Sequence, residues 1–436
     1  MHFLVSSFVP WWLSLKKSEK KVTAVKFRSA TLDNGLEIVA ECNDLAHSLG
    51  VGFFVRTGAR DETDEVAGVS HFLEHMVFKG TPRRTAEDVN RDFDEIGAHY
   101  NAFTSEENTV YYASVLPEYQ EPSIDLLADI LRPSLRDDDF NMEKKVILEE
   151  IQMYADQPPF GMDDHIKALH YGKHPMARSV LGTCDTVGGL SVDQMRAYFE
   201  SRYCPSNVFV AAAGKVDFDQ LVKQVEARCG HWEPRKASRD LPKPNSTPAF
   251  ESVVRESSTQ QYILQLADGP ASEDADRYAA KVLATILGDD SGSRLYWELV
   301  DPGIAETASL GHYEYQGLGM LYTWLSCAPE DAAENFAKLR EVYAVAEAKG
   351  FAEEELRQAR SKVKARVVLG SERPRNRLFN VGGNWMQRRE YRSVTNDLAT
   401  LDSVTLDDLH AELAKYPLTR ASTVTIGPLK DLTGLS

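Results

Sequence analysis

The N-terminal part of the chain alternates between the apolar patterns of strands and helices. Short apolar runs bounded by Gly and by Asn or Asp turns predict strands over residues 35–42 and 50–58. Apolar residues at helical spacing predict a helix over residues 69–79. Thr85 with Asp88 three residues later is typical of a capping box, which predicts that a second helix starts there.

Further along, the pattern predicts a hairpin and then a long helix. Residues 99–104 and 109–116 have strand character and are separated by SEEN. The run DDDFNMEKKVILEEIQMYADQPP predicts a helix over residues 137–155, because acids fill its first turn and prolines follow its end. Residues 207–214 are apolar almost throughout and predict a buried strand.

The stretch EPRKASRDLPKPNSTP predicts a linker, because it is rich in Pro, Ser and charge and has no apolar periodicity. A chain of 436 residues is expected to form two domains. We therefore expect an N-terminal tail at residues 1–22, a first domain at 23–232, the linker at 233–248 and a second domain at 249–436.

The order of elements after the linker partly repeats the order before it. Strands are predicted at residues 262–266, 305–311 and 319–327, with helices after the first strand and long helices after the last. SVLPE in the first half has an echo in SCAPE in the second. The repetition indicates an internal duplication.

Composition and charge limit the classes of protein to which this chain can belong. With 43% hydrophobic and 26% charged residues, the chain has the make-up of a globular protein. A net charge of −17 argues against nucleic acid or an anionic membrane as a partner held by bulk electrostatics. Five scattered cysteines without a CxxC pair argue against a disulfide scaffold or a cysteine-rich zinc site.

The N-terminal segment MHFLVSSFVPWWLSLKKSEKK is interpreted as a tail and not as a signal peptide. It lacks a basic n-region, contains Pro10 and ends in lysines instead of small residues. No later stretch approaches the roughly 20 apolar residues needed to span a bilayer. We expect a cytoplasmic protein without a membrane partner.

The motif HFLEH is the clearest sign of chemistry. His71, Glu74 and His75 lie at i, i+3 and i+4, so on a helix they project from one face. Two imidazoles at this spacing can bind one Zn²⁺, and a carboxylate between them can deprotonate a water molecule, as in the H-x-x-E-H motif. The alternative is that these are core polar residues with other partners. The apolar neighbours imply burial, however, which favours a metal.

The predicted helix at residues 137–155 supplies a third ligand. Glu143 and Glu150 are seven residues apart and point to one side, whereas Glu149 is rotated by about 100° from Glu150. We predict Glu150 as the ligand and Glu143 as a support for the site. One Zn²⁺ per chain is the expected cofactor.

In combination, four segments resemble the M16 peptidases, a family that includes pitrilysin, insulin-degrading enzyme and the mitochondrial processing peptidase. The segments are GVSHFLEHMVFKGT, NAFTSEENTVYYASVLPE, EKKVILEEIQMYADQP, and LGTCDTV with the later YCPSNVFVAAAGKVD. The resemblance implies an α+β fold of two similar domains, each a mostly antiparallel sheet with helices on one side. It also implies a clam-shell chamber of four such domains, hence a homodimer or a heterodimer.

Residue by residue, the resemblance implies zinc ligands at His71, His75 and Glu150, the base at Glu74 and an auxiliary acid at Glu143. It further implies that the edge strand carrying Asn101, Ala102, Phe103 and Thr104 pairs with an extended peptide by β-augmentation. The alternative is that these four are ordinary hairpin residues.

The sequence departs from the family at one place. Where many members carry an Arg and a Tyr in the second domain, this chain has Val300 and Glu306 nearby. Tyr313 or Tyr315 is a candidate for transition-state support, although core or surface tyrosines are the alternative. The second half has no H-x-x-E-H and is expected to be non-catalytic.

The expected function is a zinc endopeptidase that acts on unfolded or extended peptides. Zinc would polarise the scissile carbonyl and a water molecule, and Glu74 would move the proton from that water to the leaving amine. The first alternative is a partner-dependent or non-catalytic subunit of a heterodimer. The second is a zinc hydrolase that acts on something other than peptides.

Overall fold

A computed structural model of the chain describes residues 25–156, 159 and 161–430. The predicted tail at residues 1–22 lies outside the described residues. The first half of the described chain is built around a six-stranded sheet with the order β1-β2-β6-β3-β5-β4. Its strands are β1 Lys26–Thr31, β2 Glu37–Cys42, β3 Leu49–Val55, β4 His99–Thr104, β5 Thr109–Val115 and β6 Val208–Gly214. Neighbouring strands are antiparallel except β2 and β6, which are parallel.

Eight helices belong to the described part of this half. They are α1 Val69–Val77, α2 Ala86–Glu95, α3 Gln120–Ile130, α4 Asp137–Asp156, α5 Met162–Tyr171, α6 Cys184–Gly189, α7 Val192–Arg202 and α8 Phe218–Cys229. Helices α1 and α4 pack together, and α1 also lies against β4 and β5. The predicted hairpin and the predicted helices over residues 69–79 and 137–155 are confirmed to within two residues at each end.

A five-stranded sheet with the order β7-β11-β8-β10-β9 forms the centre of the second half. Its strands are β7 Phe250–Val254, β8 Gln261–Gly269, β9 Thr307–Tyr315, β10 Leu318–Cys327 and β11 Ser422–Gly427. In chain order, β7 to β11 occupy the same sheet places as β2 to β6, and the parallel pair β7–β11 corresponds to β2–β6. The repeated strand order confirms the predicted α+β fold and its internal duplication.

The helices described in the second half are α9 Arg277–Gly288, α10 Ala332–Lys349, α11 Glu353–Ser371, α12 Pro374–Arg388, α13 Val394–Ser403 and α14 Leu406–Lys415. Most of them pack on one face of the second sheet, where an apolar core joins α9, α10, α11 and α14. The corresponding core of the first half lies between its sheet and the helices α1, α3 and α8.

The other face of each sheet is covered by a helix from the opposite half. Helix α12 lies on β2, β3 and β6, where its Leu378 and Val381 meet Phe54 and Phe209 of the first sheet. Helix α5 lies on β8 and β11, where Met162 and Ile166 join the core. Each half thus keeps the helices of its own core on one face of its sheet, as expected. The central strands are apolar on both faces, so the second face also needs cover, and the other half supplies it.

Residues 233–249 contain neither a helix nor a strand and connect the two sheets. The domain limits proposed on either side of this segment stay a prediction. Among the helices of the described residues, none is both long enough and apolar enough for a bilayer crossing.

Candidate metal centre

Helix α1 presents the HFLEH motif because its other face is buried. Phe72, Leu73, Met76 and Val77 are almost fully inaccessible and pack into the first core. The opposite face carries His71, Glu74 and His75, which are only half-buried. One face of the helix thus anchors it, and the polar face is left open toward α4 and β4.

The start of α1 is fixed by a buried carboxylate. Gly68 precedes the helix with φ 93°, a left-handed conformation that glycine adopts without strain. The Glu62 carboxylate accepts hydrogen bonds from the backbone N–H groups of Gly68 and Ser70, both at 2.7 Å. These are two of the donors that a helix start leaves free, so Glu62 sets where α1 begins. Burial raises the pKa of Glu62 to about 7.

Helix α4 brings Glu150 to the two histidines. Glu150 Oε2 lies 3.8 Å from His71 Nε2 and 3.8 Å from His75 Nε2. One ligand atom from each of the three residues lies within 4.8 Å of the others. Glu149, the neighbour rejected from helical geometry, is exposed.

The three side chains fit a zinc ion by their chemistry and spacing. Bonds of about 2.1 Å in a tetrahedral site place ligand atoms about 3.4 Å apart, a little closer than they stand here. Two imidazoles and one carboxylate are a set that catalytic zinc sites use, and such sites keep a fourth position for water. His71 Nδ1 is buried and has no hydrogen-bond partner among the described residues.

The two histidines have opposite electrostatic surroundings. Burial lowers the pKa of His71 to about 4, and the nearby His75 adds to the effect, so His71 stays neutral. For His75, burial lowers the pKa, but a 2.9 Å hydrogen bond from Nδ1 to Glu143 and three nearby carboxylates outweigh it and raise the pKa overall. Since Glu143 engages Nδ1, Nε2 is the nitrogen left to face a metal.

Glu143 lies under His75 and is almost fully buried. Its second oxygen is 2.5 Å from Nζ of Lys79, which lies two residues after the end of α1. Burial raises the pKa of Glu143, but the hydrogen bonds from His75 and Lys79 prevail and hold it below its usual range. The carboxylate therefore stays ionised and orients His75, as supports of metal ligands do.

Glu74 lies on the same face as the two histidines and contacts the edge strand. Thr104 Oγ1 donates a 2.6 Å hydrogen bond to Glu74 Oε2. Burial raises the pKa of Glu74, whereas the bond from Thr104 lowers it and the charge of Glu150 raises it further. A carboxylate with a raised pKa beside a metal site is suited to accept a proton and release it again.

The strand with the four substrate-binding candidates lies at the edge of the first sheet. Among the described strands, β4 pairs only with β5, so its outer edge is open. Asn101 and Phe103 are exposed, Ala102 is buried, and Thr104 contacts Glu74. The structure therefore brings this strand to the metal centre with one edge free.

The structure does not bring the two candidate tyrosines into this group. Tyr315 is hydrogen-bonded to Glu106 in the β4–β5 turn. Tyr313 is exposed, and its ring packs against Tyr322 on the second sheet. Val300 ends a short helical turn over Tyr296–Val300, and Glu306 is exposed in the loop that follows.

Sequence reasoning missed Lys79 and Glu62. Lys79 stands eight residues after His71 and four after His75, so helical spacing places it on the face of the two histidines. That signal was readable from the sequence. The partnership of Glu62 with the helix start was not, because it depends on the path of the loop between them.

Two family models match the chain. The model for insulinase, peptidase family M16, covers residues 37–184, which include all the residues of the metal centre. The model for the peptidase M16 inactive domain covers residues 189–363.

Relatives and solved structures match nearly the whole chain. A Mycobacterium leprae protein named an uncharacterized zinc protease is 33% identical over 94% of this chain and 94% of its own length. An Arabidopsis thaliana protein named "Probable mitochondrial-processing peptidase subunit beta" is 29% identical over 94% of this chain and 80% of its own length. The crystal structure of a Helicobacter pylori protease shares the fold, with a TM-score of 0.87, 20% identity, and coverage of 93% of this chain and 100% of that one. On the family models and on this identity over almost the full length, the chain belongs to the M16 peptidase family.

Proposed function

We propose that this chain is a zinc-dependent endopeptidase that hydrolyses extended or unfolded peptides. The observation that carries the proposal is the convergence of His71, His75 and Glu150 within 4.8 Å, with Glu74 on the same helix face. Two neutral or hydrogen-bonded imidazoles, one carboxylate ligand and one free carboxylate are the parts that hydrolysis by a metal-activated water requires.

A zinc ion held by the three ligands would polarise a water molecule and the scissile carbonyl. Glu74 accepts a proton from the attacking water, whose oxygen forms the new bond to the carbonyl carbon. Glu74 then gives the proton to the amine nitrogen as the C–N bond breaks. The products are one carboxylate and one amine, and no side chain forms a covalent bond to the substrate.

The open edge of β4 supports a peptide in extended form as the substrate. A peptide that adds to this edge is held by its backbone, so recognition depends little on its side chains. The exposed Asn101 and Phe103 flank such a peptide, and Thr104 joins the strand to the base. This geometry argues for peptides over other zinc-hydrolase substrates.

The second proposed feature is a dimer. One chain contains two sheets with the same strand order. We propose that two chains enclose the substrate in a clam-shell chamber. The partner is a second copy or another M16-type chain. The named subunit among the relatives supports a heterodimer as the alternative.

The test is cleavage of a mixed library of unstructured peptides by the purified chain with its zinc content measured. We expect about one zinc per chain, and loss of activity by a factor of about 10² to 10⁴ in Glu74→Gln. A chelator should abolish activity and added zinc restore it. Glu87→Gln, which changes an exposed glutamate on α2, is the matched control and should leave the rate unchanged.

Bound zinc without cleavage by the wild type would favour the alternative function, a partner-dependent or non-catalytic subunit. The observation behind this alternative is that Tyr313 contacts Tyr322 and Tyr315 is hydrogen-bonded to Glu106, so neither tyrosine takes the place of the groups absent at Val300 and Glu306. Addition of an M16-type partner that restores cleavage would then identify the source of those groups.

A further inference from the structure

Thr104 has an unusual position for a residue of a substrate strand, because its hydroxyl is used inside the protein. Its Oγ1 lies 2.6 Å from Glu74 Oε2, a short hydrogen bond typical of a hydroxyl donating to a carboxylate. The side chain is half-buried. A hydroxyl committed in this way is not available to a peptide on the outer edge.

The alternation of β4 explains why Thr104 points at the base. Successive side chains of a strand point to opposite faces. Tyr100, Ala102 and Thr104 therefore share the inner face beside α1, and Asn101 and Phe103 share the other. Thr104 is the last inner residue of the strand, where β4 passes Glu74.

The hydrogen-bond pattern around Thr104 fixes the direction of donation. Its register partner on β5 is Thr109, whose Oγ1 donates to the carbonyl of Thr57 at 3.0 Å. Thr109 therefore has no proton left for Thr104, and its oxygen is 3.4 Å away. The single hydroxyl proton of Thr104 goes to the nearer acceptor, which is Glu74.

The partners behind Thr104 hold it in place. Thr109 is fully buried and is also hydrogen-bonded to Tyr203, whose hydroxyl lies 2.9 Å from that of Tyr111. Tyr111 and Tyr203 belong to the first core. The hydroxyl that meets Glu74 is thus supported by buried residues of β5 and by Tyr203 at the end of α7.

We propose that Thr104 is a positioning residue for Glu74. By holding Oε2 from the side of the sheet, Thr104 fixes the rotation of the carboxylate and leaves Oε1 to the attacking water. The strand that receives the peptide then also carries the group that holds the base. The position of Glu74 relative to the bound peptide is therefore fixed. This inference rests on the proposed role of Glu74 as the general base.

The test compares Thr104→Val, which keeps the shape and removes the hydroxyl, with Thr104→Ser, which keeps the hydroxyl. We expect kcat of Thr104→Val to fall by about 10- to 100-fold, as for other groups that orient a site. KM and the zinc content should stay at the wild-type values. Thr104→Ser should recover most of the wild-type kcat. Thr63→Val, which alters an exposed threonine without a capping bond, is the matched control.

Three results would overturn the inference. They are a wild-type kcat in Thr104→Val, a rise in KM alone, which would indicate an ordinary substrate contact, and a serine variant as slow as the valine variant. Crystal structures of the wild type and Thr104→Val give a second readout that needs no turnover. The inference requires the Glu74 carboxylate to turn in the variant, and an unmoved carboxylate contradicts it. If the wild type holds zinc but cleaves nothing, the proposed function fails, and the crystal structures still decide the role of Thr104.

Discussion

At the scale of single residues, the candidate metal centre includes a carboxylate that is not among the three proposed ligands. Glu143 joins His75 Nδ1 at 2.9 Å to Lys79 Nζ at 2.5 Å. The histidine end fixes the ring so that Nε2 faces Glu150, and the lysine end balances the charge of the buried carboxylate. A buried charge without such partners would be costly, so Glu143 and Lys79 act as a pair.

We expect Glu143→Gln to weaken zinc binding by about 10- to 100-fold. The amide can still accept one hydrogen bond, but it removes the negative charge that holds His75 and Lys79. Competition with a chromophoric chelator measures the affinity. Glu149→Gln, six residues further along α4 and exposed, is the matched control and should bind zinc like the wild type. Equal affinities in both variants would show that Glu143 does not support the site.

The sequence was sufficient to propose the ligands and the base, because their spacing on two helices is a local property. His71, Glu74 and His75 lie within one motif, and helical rotation separated Glu150 from Glu149. The partner of Glu74 was not predictable in the same way. Its bond to Thr104 depends on how far β4 is displaced along α1, which is set by packing between elements and not by the sequence near either residue.

At the scale of elements, the duplication shows what the described part of the second half has in place of the candidate metal centre. The buried residues Phe72, Leu73, Met76 and Val77 of α1 match the spacing of Val282, Leu283, Ile286 and Leu287 in α9. This alignment places Lys281, Ala284 and Thr285 where α1 has His71, Glu74 and His75. A cation and two residues without a carboxylate or imidazole cannot form the same site.

The same alignment relates an ion pair in the second half to one in the first half, with the positions of the acid and the base exchanged. When α9 is aligned with α1, Asp289 takes the position of Lys79. Asp289 pairs with Arg366 of α11. In the first half Lys79 pairs with Glu143 of α4. In each half an ion pair therefore joins the end of α1, or of its counterpart α9, to a later long helix, α4 or α11. The three proposed ligands lie in the first half.

The strands and helices themselves were largely predictable, but the exchange of helices was not. Residues 50–55 and 208–213 are apolar without alternation, which indicates strands covered on both faces. That pattern shows that a cover is needed. It does not show which helix supplies it, and here α12 comes from the other half of the chain.

We expect Gly382→Ala to destabilise the protein and Gly383→Ala to leave it unchanged or more stable. A Cβ on Gly382 would lie 2.2 Å from the ring of Phe54, whereas a Cβ on Gly383 would meet nothing within 4 Å. Overpacking of this kind costs about 1–3 kcal/mol, and Ala gains up to about 1 kcal/mol over Gly in a helix. Melting temperatures of the two variants measure the difference. A Gly382→Ala variant as stable as Gly383→Ala would mean that α12 does not lie tightly on the first sheet.

At the scale of the whole molecule, residues of both halves meet at the β4–β5 turn. Arg60 pairs with Glu107 at 2.6 Å and also donates to the carbonyl of Gln316 in the second half. Lys167 pairs with Glu106 at 2.9 Å. Arg239, within residues 233–249, donates to Asp61 and to Gln316. The turn that follows β4 is thus held by both halves and by the segment between them.

The contacts at this turn and the exchanged helices lead to a prediction about the segment that joins the halves. A protease site inserted after Lys243, which is exposed, should be cut without separating the two pieces. The first piece keeps α5 on the second sheet, and the second piece keeps α12 on the first sheet. Each contact buries apolar side chains that would otherwise meet water. Size-exclusion chromatography of the cut protein, with denaturing gels of each fraction, measures whether the pieces stay together.

We expect the cut protein to elute with the uncut protein that carries the same insertion, and both pieces to appear in that fraction. The continuous chain is then not needed to hold the two sheets together, since α5 and α12 each pack on the sheet of the other half. Adding Gly382→Ala tests the cause. Because α12 is then strained, the cut pieces should separate at a lower urea concentration than those of the cut protein without this substitution. Pieces that elute apart in buffer alone would show that the exchanged helices are too weak to join the halves, and that the covalent segment is what keeps β4 and its metal centre in place.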